Sequence, residues 1–135
     1  MHLRALLMCE DVRLEVDGTL TLIGVYNDRL RGRTPPGSPM IVQHLAFLVV
    51  VGGLTGIDRI GFRERIRYVE DDRPAEQPLA YEPHDPRADE HNFVFAHSPM
   101  VFPRHGIYDI MVDLEVAMQA ETYRHRFRFE PEGGG

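Results

Sequence analysis

The chain has 135 residues, which fits a single domain large enough to bury a core without disulfides or metal ions. Its formal net charge is −6, and this acidic balance disfavours nucleic acid as the main partner because phosphate binding needs cations. Cys9 is the one cysteine, so an internal disulfide is excluded. The apolar stretch at residues 5–9 is too short for a signal peptide, and the longest apolar run, residues 45–51, is too short to span a membrane. We therefore expect a cytoplasmic protein.

The first two strand-like segments predict a β-hairpin around Asp17 and Gly18. A two-residue turn would place Leu14 opposite Thr21, whereas a three-residue loop places Leu14 opposite Leu20. The second register sets apolar side chains against apolar partners and puts Gly18 at the left-handed position that such loops need. We therefore predict the three-residue loop.

The next segments predict a loop and then a buried strand. Residues 31–39 hold three prolines and two glycines, which is typical of a loop. Residues 41–51 are β-branched and aliphatic, and they predict the strongest strand of the chain. Within it, residues 45–51 are all apolar, although a sandwich strand normally leaves one face wet.

The middle of the chain predicts one alternating strand and a long exposed segment. Residues 62–69 alternate, but Glu64 interrupts their apolar side, so we expect an edge strand or a bulge there. Residues 71–89 carry four prolines and six acids, which indicates an exposed and partly mobile excursion. Residues 91–96 predict a short strand.

The C-terminal part predicts a second hairpin whose apolar and charged faces agree on one register. A loop near residues 117–120 would join the two strands, and the terminal residues from 131 to 135 should form a disordered tail. The pairs that this register implies are Leu114 with Tyr123, Ile110 with Phe127, Tyr108 with Phe129, Asp113 with Arg124, and Asp109 with Arg128.

About seven short strands, spaced turn signals and the lack of a long helical period indicate an all-β fold. We predict a single-domain antiparallel β-sandwich over residues 1–130.

Several short motifs carry a resemblance. They are ALLMCEDV at residues 5–12, Asp17-Gly18, LIGVY at residues 22–26, and Phe102-Pro103 with Gly106-Ile107-Tyr108. They resemble a family of small uncharacterised bacterial proteins, in which an ALLLCD-type strand precedes an Asn-Gly or Asp-Gly turn and an LIGVF-type strand. The resemblance implies a β-rich fold and a bacterial source, and it brings no catalytic residues; Glu10 stands where that family usually has Asp.

Cys9 and a scattered group of histidines and acids are the catalytic and metal-binding candidates. Two acids follow Cys9 directly and should raise its pKa, which favours a buried structural thiol over a nucleophile. The possible metal ligands lack any typical spacing, so we expect no metal and no cofactor. These candidate ligands are His84, Asp85, Asp89, Glu90, His91, His97 and His105. His125, on an aromatic face, predicts a core or rim histidine with a hydrogen-bonded nitrogen.

Arginine runs with a spacing of two are the most informative feature. In a strand this spacing places three guanidinium groups on one face, and two such strands side by side would suit phosphate or carboxylate groups. The alternative is a solvated face balanced by acids. The runs are Arg29, Arg31 and Arg33; Arg63, Arg65 and Arg67; and Arg124, Arg126 and Arg128. The last six are the candidate anion-binding residues.

These observations favour a non-enzymatic binding or assembly module. The second hypothesis is a small anion- or ligand-binding domain that uses the arginine face, and a metal-dependent enzyme ranks last. The apolar residues 45–51 further predict self-association, with a dimer as the expected state, because a second subunit could cover their outer face.

Overall fold

The computed structural model describes residues 1–32, 39–70 and 78–131, and it confirms the all-β fold. Within these residues the chain forms eleven strands and no helix, and therefore contains no membrane-spanning helix there. The strands are β1 (His2–Leu14), β2 (Leu20–Tyr26), β3 (Arg29–Gly32), β4 (Met40–Val42), β5 (Leu45–Gly52), β6 (Arg59–Tyr68), β7 (Ala80–Pro83), β8 (His91–His97), β9 (Met100–Phe102), β10 (Gly106–Val116) and β11 (Gln119–Pro131).

Two sheets and a small ribbon make up the sandwich. The four-stranded sheet has the order β2-β1-β5-β8, and the five-stranded sheet has the order β3-β11-β10-β6-β7. All pairs are antiparallel except β3 with β11, and β4 pairs with β9 as a separate ribbon. The estimate of about seven strands missed the four shortest, β3, β4, β7 and β9, because three or four residues give too little alternation to recognise.

The core lies between the two sheets. Phe47 and Val49 of β5 and Ile110 and Val112 of β10 are all fully buried in one apolar cluster. The ribbon closes one part of this cluster with Phe102, whose ring centroid lies 5.0 Å from that of Tyr108 and 4.8 Å from that of Phe129. Alternate residues of the central strands therefore build the core, as sandwich packing requires.

The first hairpin has the predicted register. Leu14 pairs with Leu20, and the backbone amide of Glu15 donates to the carbonyl of Thr19 over 2.8 Å. Gly18 has a φ of 87°. The choice of the three-residue loop is confirmed.

The predicted register of the second hairpin is wrong by two residues. The turn consists of Ala117 and Met118 alone, with Ala117 at a φ of 48°, so the ladder continues to the pair of Val116 with Gln119. A shift by two returns every side chain to the same face, so face patterning could not distinguish the two registers. The observed pairs are Leu114 with Glu121, Ile110 with His125, Tyr108 with Phe127, Asp113 with Thr122, and Asp109 with Arg126.

Residues 41–51 form two strands rather than one. The extended strand is interrupted at Gln43 and His44, so β4 joins the ribbon and β5 joins the four-stranded sheet. In that sheet β5 is central, between β1 and β8, and Leu48 on its outer face is only 5% exposed within a single chain. A second subunit is therefore not needed to bury the apolar run.

Three segments that were predicted to be irregular contain residues of strands. The excursion over residues 71–89 includes β7, and the side chain of His84 behind it is buried. The loop over residues 31–39 begins with two residues of β3, and the predicted tail begins with Pro131, which belongs to β11. Residues 33–38, 71–77 and 132–135 lie outside the described residues.

The hairpin turn provides a test of the fold. We expect Gly18→Ala to lower the free energy of unfolding by about 1 kcal/mol, because an alanine side chain is strained at positive φ although the space around Gly18 is open. Gly18→Asn should lose less, since asparagine tolerates this conformation. Urea unfolding of the three proteins measures the difference, and equal stability of the alanine variant would contradict the assignment.

Candidate functional site

The outer face of the five-stranded sheet gathers most of the arginines. Outward positions alternate along β6, β10 and β11, and β3 continues the surface beside β11. Among the described residues this surface, called the arginine face below, carries nine of the fifteen arginines but four of the 21 acids. The arginines are Arg29, Arg31, Arg59, Arg63, Arg65, Arg67, Arg124, Arg126 and Arg128, and the acids are Asp109, Asp113, Glu115 and Glu130.

Asp109 of β10 organises the upper part of this face. Its carboxylate is fully buried beneath arginine side chains. Arg126 donates from Nε over 2.9 Å and from Nη2 over 3.2 Å, and Arg67 donates from Nη2 over 3.0 Å. Arg124 adds a longer ion pair of 4.0 Å. One carboxylate thus holds three guanidinium groups.

Asp113, which lies four residues after Asp109 on β10, also accepts hydrogen bonds from arginine side chains. Arg63 donates from Nε over 2.8 Å, and Arg65 donates from Nη2 over 3.0 Å. The hydroxyl of Thr122, which is the cross-strand partner of Asp113, donates over 2.6 Å. Sequence reasoning missed Thr122 because the predicted register put Arg124 in its place.

Both buried carboxylates remain ionised because of these contacts. Desolvation alone would raise the pKa of Asp109, but hydrogen bonds from Arg126 and Arg67 outweigh it and the pKa is lowered. Desolvation acts on Asp113 in the same direction, and the hydrogen bonds from Thr122, Arg63 and Arg65 again leave the pKa lowered. The two acids are therefore fixed negative charges that position the arginines.

Arginines outnumber acids on the described part of this face. In its centre, five guanidinium groups share the carboxylates of Asp109 and Asp113. At the edge of the sheet, Arg29 and Arg31 share Glu130. The guanidinium of Arg59 lies over the ring of Tyr81 at 4.2 Å. The described part of the surface is therefore rich in arginine although the chain as a whole is acidic.

All six candidate anion-binding residues lie on the arginine face. The strands β6 and β11 that carry them do not lie side by side, as a continuous arginine surface would require. They flank β10, which supplies the two carboxylates. Arg128 stands opposite Ile107 and beside Arg29 rather than opposite Asp109. Arg33 of the third run lies outside the described residues.

Glu64 marks a second polar site, on the inner face of β6. Oε1 of its carboxylate lies 2.6 Å from Nε2 of His97 on β8, so the contact spans the two sheets. The hydrogen bond to Glu64 raises the pKa of His97, although desolvation opposes this shift. Among the described residues, β7 pairs with β6 only over Arg59–Phe62, so Glu64 lies where this edge of β6 has no described partner strand, as the predicted edge position requires. The ladder between β6 and β10 runs past Glu64 without a bulge.

Two further histidines meet beside β7. Nδ1 of His84 lies 2.9 Å from Nδ1 of His91, and Nε2 of His84 lies 2.9 Å from the carbonyl oxygen of Ala88. Nε2 of His91 contacts the carboxylate of Glu82. The described residues contain no group of three or more potential ligands that could hold a metal ion, and the absence of a metal stays a prediction.

The remaining candidates have structural surroundings. Cys9 is fully buried, and burial raises the pKa of its thiol, with a further contribution from the charge of Asp11. This environment suppresses the thiolate that a nucleophile needs. Nε2 of His125 lies 2.9 Å from the carbonyl oxygen of Asn27, as expected for a rim histidine.

No family model matches this sequence, and no curated protein matches it. The resemblance to uncharacterised bacterial proteins therefore stays a prediction.

The buried carboxylates predict a specific response to acid. We expect Asp109→Asn to lower the free energy of unfolding at neutral pH by about 2–4 kcal/mol, because the guanidinium groups lose a charged acceptor. The pKa of Asp109 is lowered in the folded state, so its stabilising effect is present above about pH 4 and is lost as the pH falls through the folded value. The gap between wild type and variant should therefore narrow in acid.

Urea unfolding at a series of pH values measures this gap. Asp58→Asn, at an exposed position before β6, is the matched control and should change stability by less than about 0.5 kcal/mol. A gap that is constant from neutral to acid pH would show that the Asp109 carboxylate contributes nothing through its charge.

Proposed function

We propose that the protein is a non-enzymatic binding module that holds an acidic segment of a partner protein on the arginine face. The observation that carries this proposal is that two buried carboxylates fix five guanidinium groups side by side, on a face where the described arginines outnumber the described acids. Guanidinium groups bind carboxylates with two parallel hydrogen bonds, and fixed ones lose little side-chain entropy on binding.

The shape of the face favours an extended polypeptide over a small anion. Outward side chains of one strand repeat about every 6.8 Å, and alternate carboxylates of an extended acidic peptide repeat at the same distance. The arginines of β6 and of β11 form two such rows on either side of β10. A sheet surface offers this repeat over several residues but does not enclose a small ligand as a pocket would.

Other features support binding rather than catalysis. The one cysteine is buried with a raised pKa, so the thiolate that a cysteine nucleophile needs is suppressed. The acidic balance of the chain works against long-range attraction of nucleic acid. As part of the same proposal we place the protein in a bacterial cytoplasm, where its single thiol stays reduced.

Binding of a ten-residue peptide with glutamate at alternate positions tests the proposal, with fluorescence anisotropy at low salt as the readout. We expect binding that weakens as salt rises and that falls at least tenfold in the Arg124→Glu/Arg128→Glu variant. The control is Arg13→Glu/Arg87→Glu, which has the same net charge but changes exposed arginines outside the face.

Three outcomes would overturn the proposal. These are no binding of the glutamate peptide, equal binding of its glutamine counterpart, and equal loss in the two double variants. Tighter binding of a DNA oligonucleotide of the same charge would instead assign the face to nucleic acid.

Self-association is a second proposal, and it now rests on a different observation. Val25 and Val94 are 50% and 43% exposed on the outer face of the four-stranded sheet, where they flank the buried side chains of Cys9 and Leu48. A twofold contact through this face would cover the exposed valines.

We expect light scattering at tens of micromolar protein to report a dimer for the wild type and a monomer for Val94→Glu. Val101→Glu changes a similarly exposed valine on β9 and should leave the dimer intact. A monomeric wild type, or equal dissociation in both variants, would contradict this use of the face.

A further inference from the structure

A cleft opens beside β6 between the two sheets, and Arg63 and Arg65 are among the residues that line it. It has a volume of about 470 Å³, within the range of small-molecule sites. Apolar side chains form most of its wall, and the rings of Phe62 and Phe95 stand 6.0 Å apart there. The other apolar residues of the wall are Ile66, Pro78, Ala80 and Met100. Such walls suit the aromatic or aliphatic body of an organic molecule.

One acidic group lies within these apolar walls. The carboxylate of Glu64 accepts a hydrogen bond from His97 through Oε1, whereas its Oε2 is shielded from solvent and has no hydrogen-bond partner among the described residues. A buried acceptor without a partner is costly, and native structures rarely keep one without a reason. The last torsion of a glutamate is soft, so a small rotation presents this oxygen to the cleft.

We propose that this cleft binds a small organic cation, an amine or amidine with an aromatic or aliphatic body, and that Glu64 accepts the hydrogen bonds of the cationic group. Arg63 and Arg65 also border the cleft, but their guanidinium groups donate to Asp113 on the outer face of the sheet, whereas Glu64 belongs to the inner face of β6. Inside the cleft the carboxylate is the charged acceptor, and its hydrogen bond to His97 leaves lone pairs for a second donor.

The position of the carboxylate supports this assignment: its hydrogen bond to His97 raises the pKa of that histidine although desolvation opposes the shift, so Glu64 favours positive charge beside it. An amidinium can donate two hydrogen bonds in one plane to a carboxylate, and its phenyl group would lie between Phe62 and Phe95. Benzamidine is therefore the probe that matches both parts of the cleft.

Titration of the full-length protein with benzamidine, followed by NMR, tests the proposal. We expect saturable binding with shifts at Phe62, Phe95 and His97, and at least tenfold weaker binding to Glu64→Gln. The matched control is Glu115→Gln, which removes the same charge from the outer face and should bind as the wild type does. Benzamide and benzoate, which have the same ring without the positive charge, should bind at least tenfold more weakly than benzamidine.

The folded state of Glu64→Gln is checked by its own NMR spectrum, since the amide oxygen of glutamine can still accept from His97. If that variant unfolds, Met100→Trp, which fills the cleft without touching the carboxylate, replaces it and should also abolish binding. No saturation at millimolar benzamidine, equal binding of benzoate, or shifts confined to the arginine face would overturn the proposal.

Discussion

The structure depends on two carboxylates that lie under arginine side chains in the middle of one sheet. Asp109 and Asp113 of β10 are both buried, yet each remains charged because guanidinium groups from β6 and β11 donate to it. This arrangement joins three neighbouring strands through their outer face, while the apolar cluster joins them through their inner face. The same contacts hold the guanidinium groups in fixed positions, which is what the proposed binding of an acidic segment requires.

The two faces of β6 show how one strand can serve two different environments. Its outward arginines belong to the charged surface, and its inward residues meet the core, except for Glu64. Glu64 is tolerated because His97 reaches it from the opposite sheet and because this part of β6 borders the cleft. A carboxylate at an apolar position is therefore informative: it marks the place where the core gives way to a cavity.

The alternation of apolar and polar residues predicted the fold class correctly. It failed for features that depend on the pairing of strands or on contacts between residues distant in sequence. The alternation of Tyr108, Ile110 and Val112 identified the inward side of β10 correctly, and the loop at Gly18 fixed the first hairpin. The second hairpin was misplaced because a shift by two preserves both faces, so only the Ala117 turn selects the register. The contact of Glu64 with His97 joins residues 33 positions apart, and no local spacing indicates it.

The histidine pair beside β7 joins the two sheets at this edge of the sandwich. The contact of His91 with Glu82 connects β8 of the four-stranded sheet to β7 of the five-stranded sheet. Nδ1 of His84 lies 2.9 Å from Nδ1 of His91, and Nε2 of His84 donates to the carbonyl oxygen of Ala88, because that oxygen can only accept. The loop between β7 and β8 is thus anchored to both sheets through its side chains as well as through its two ends.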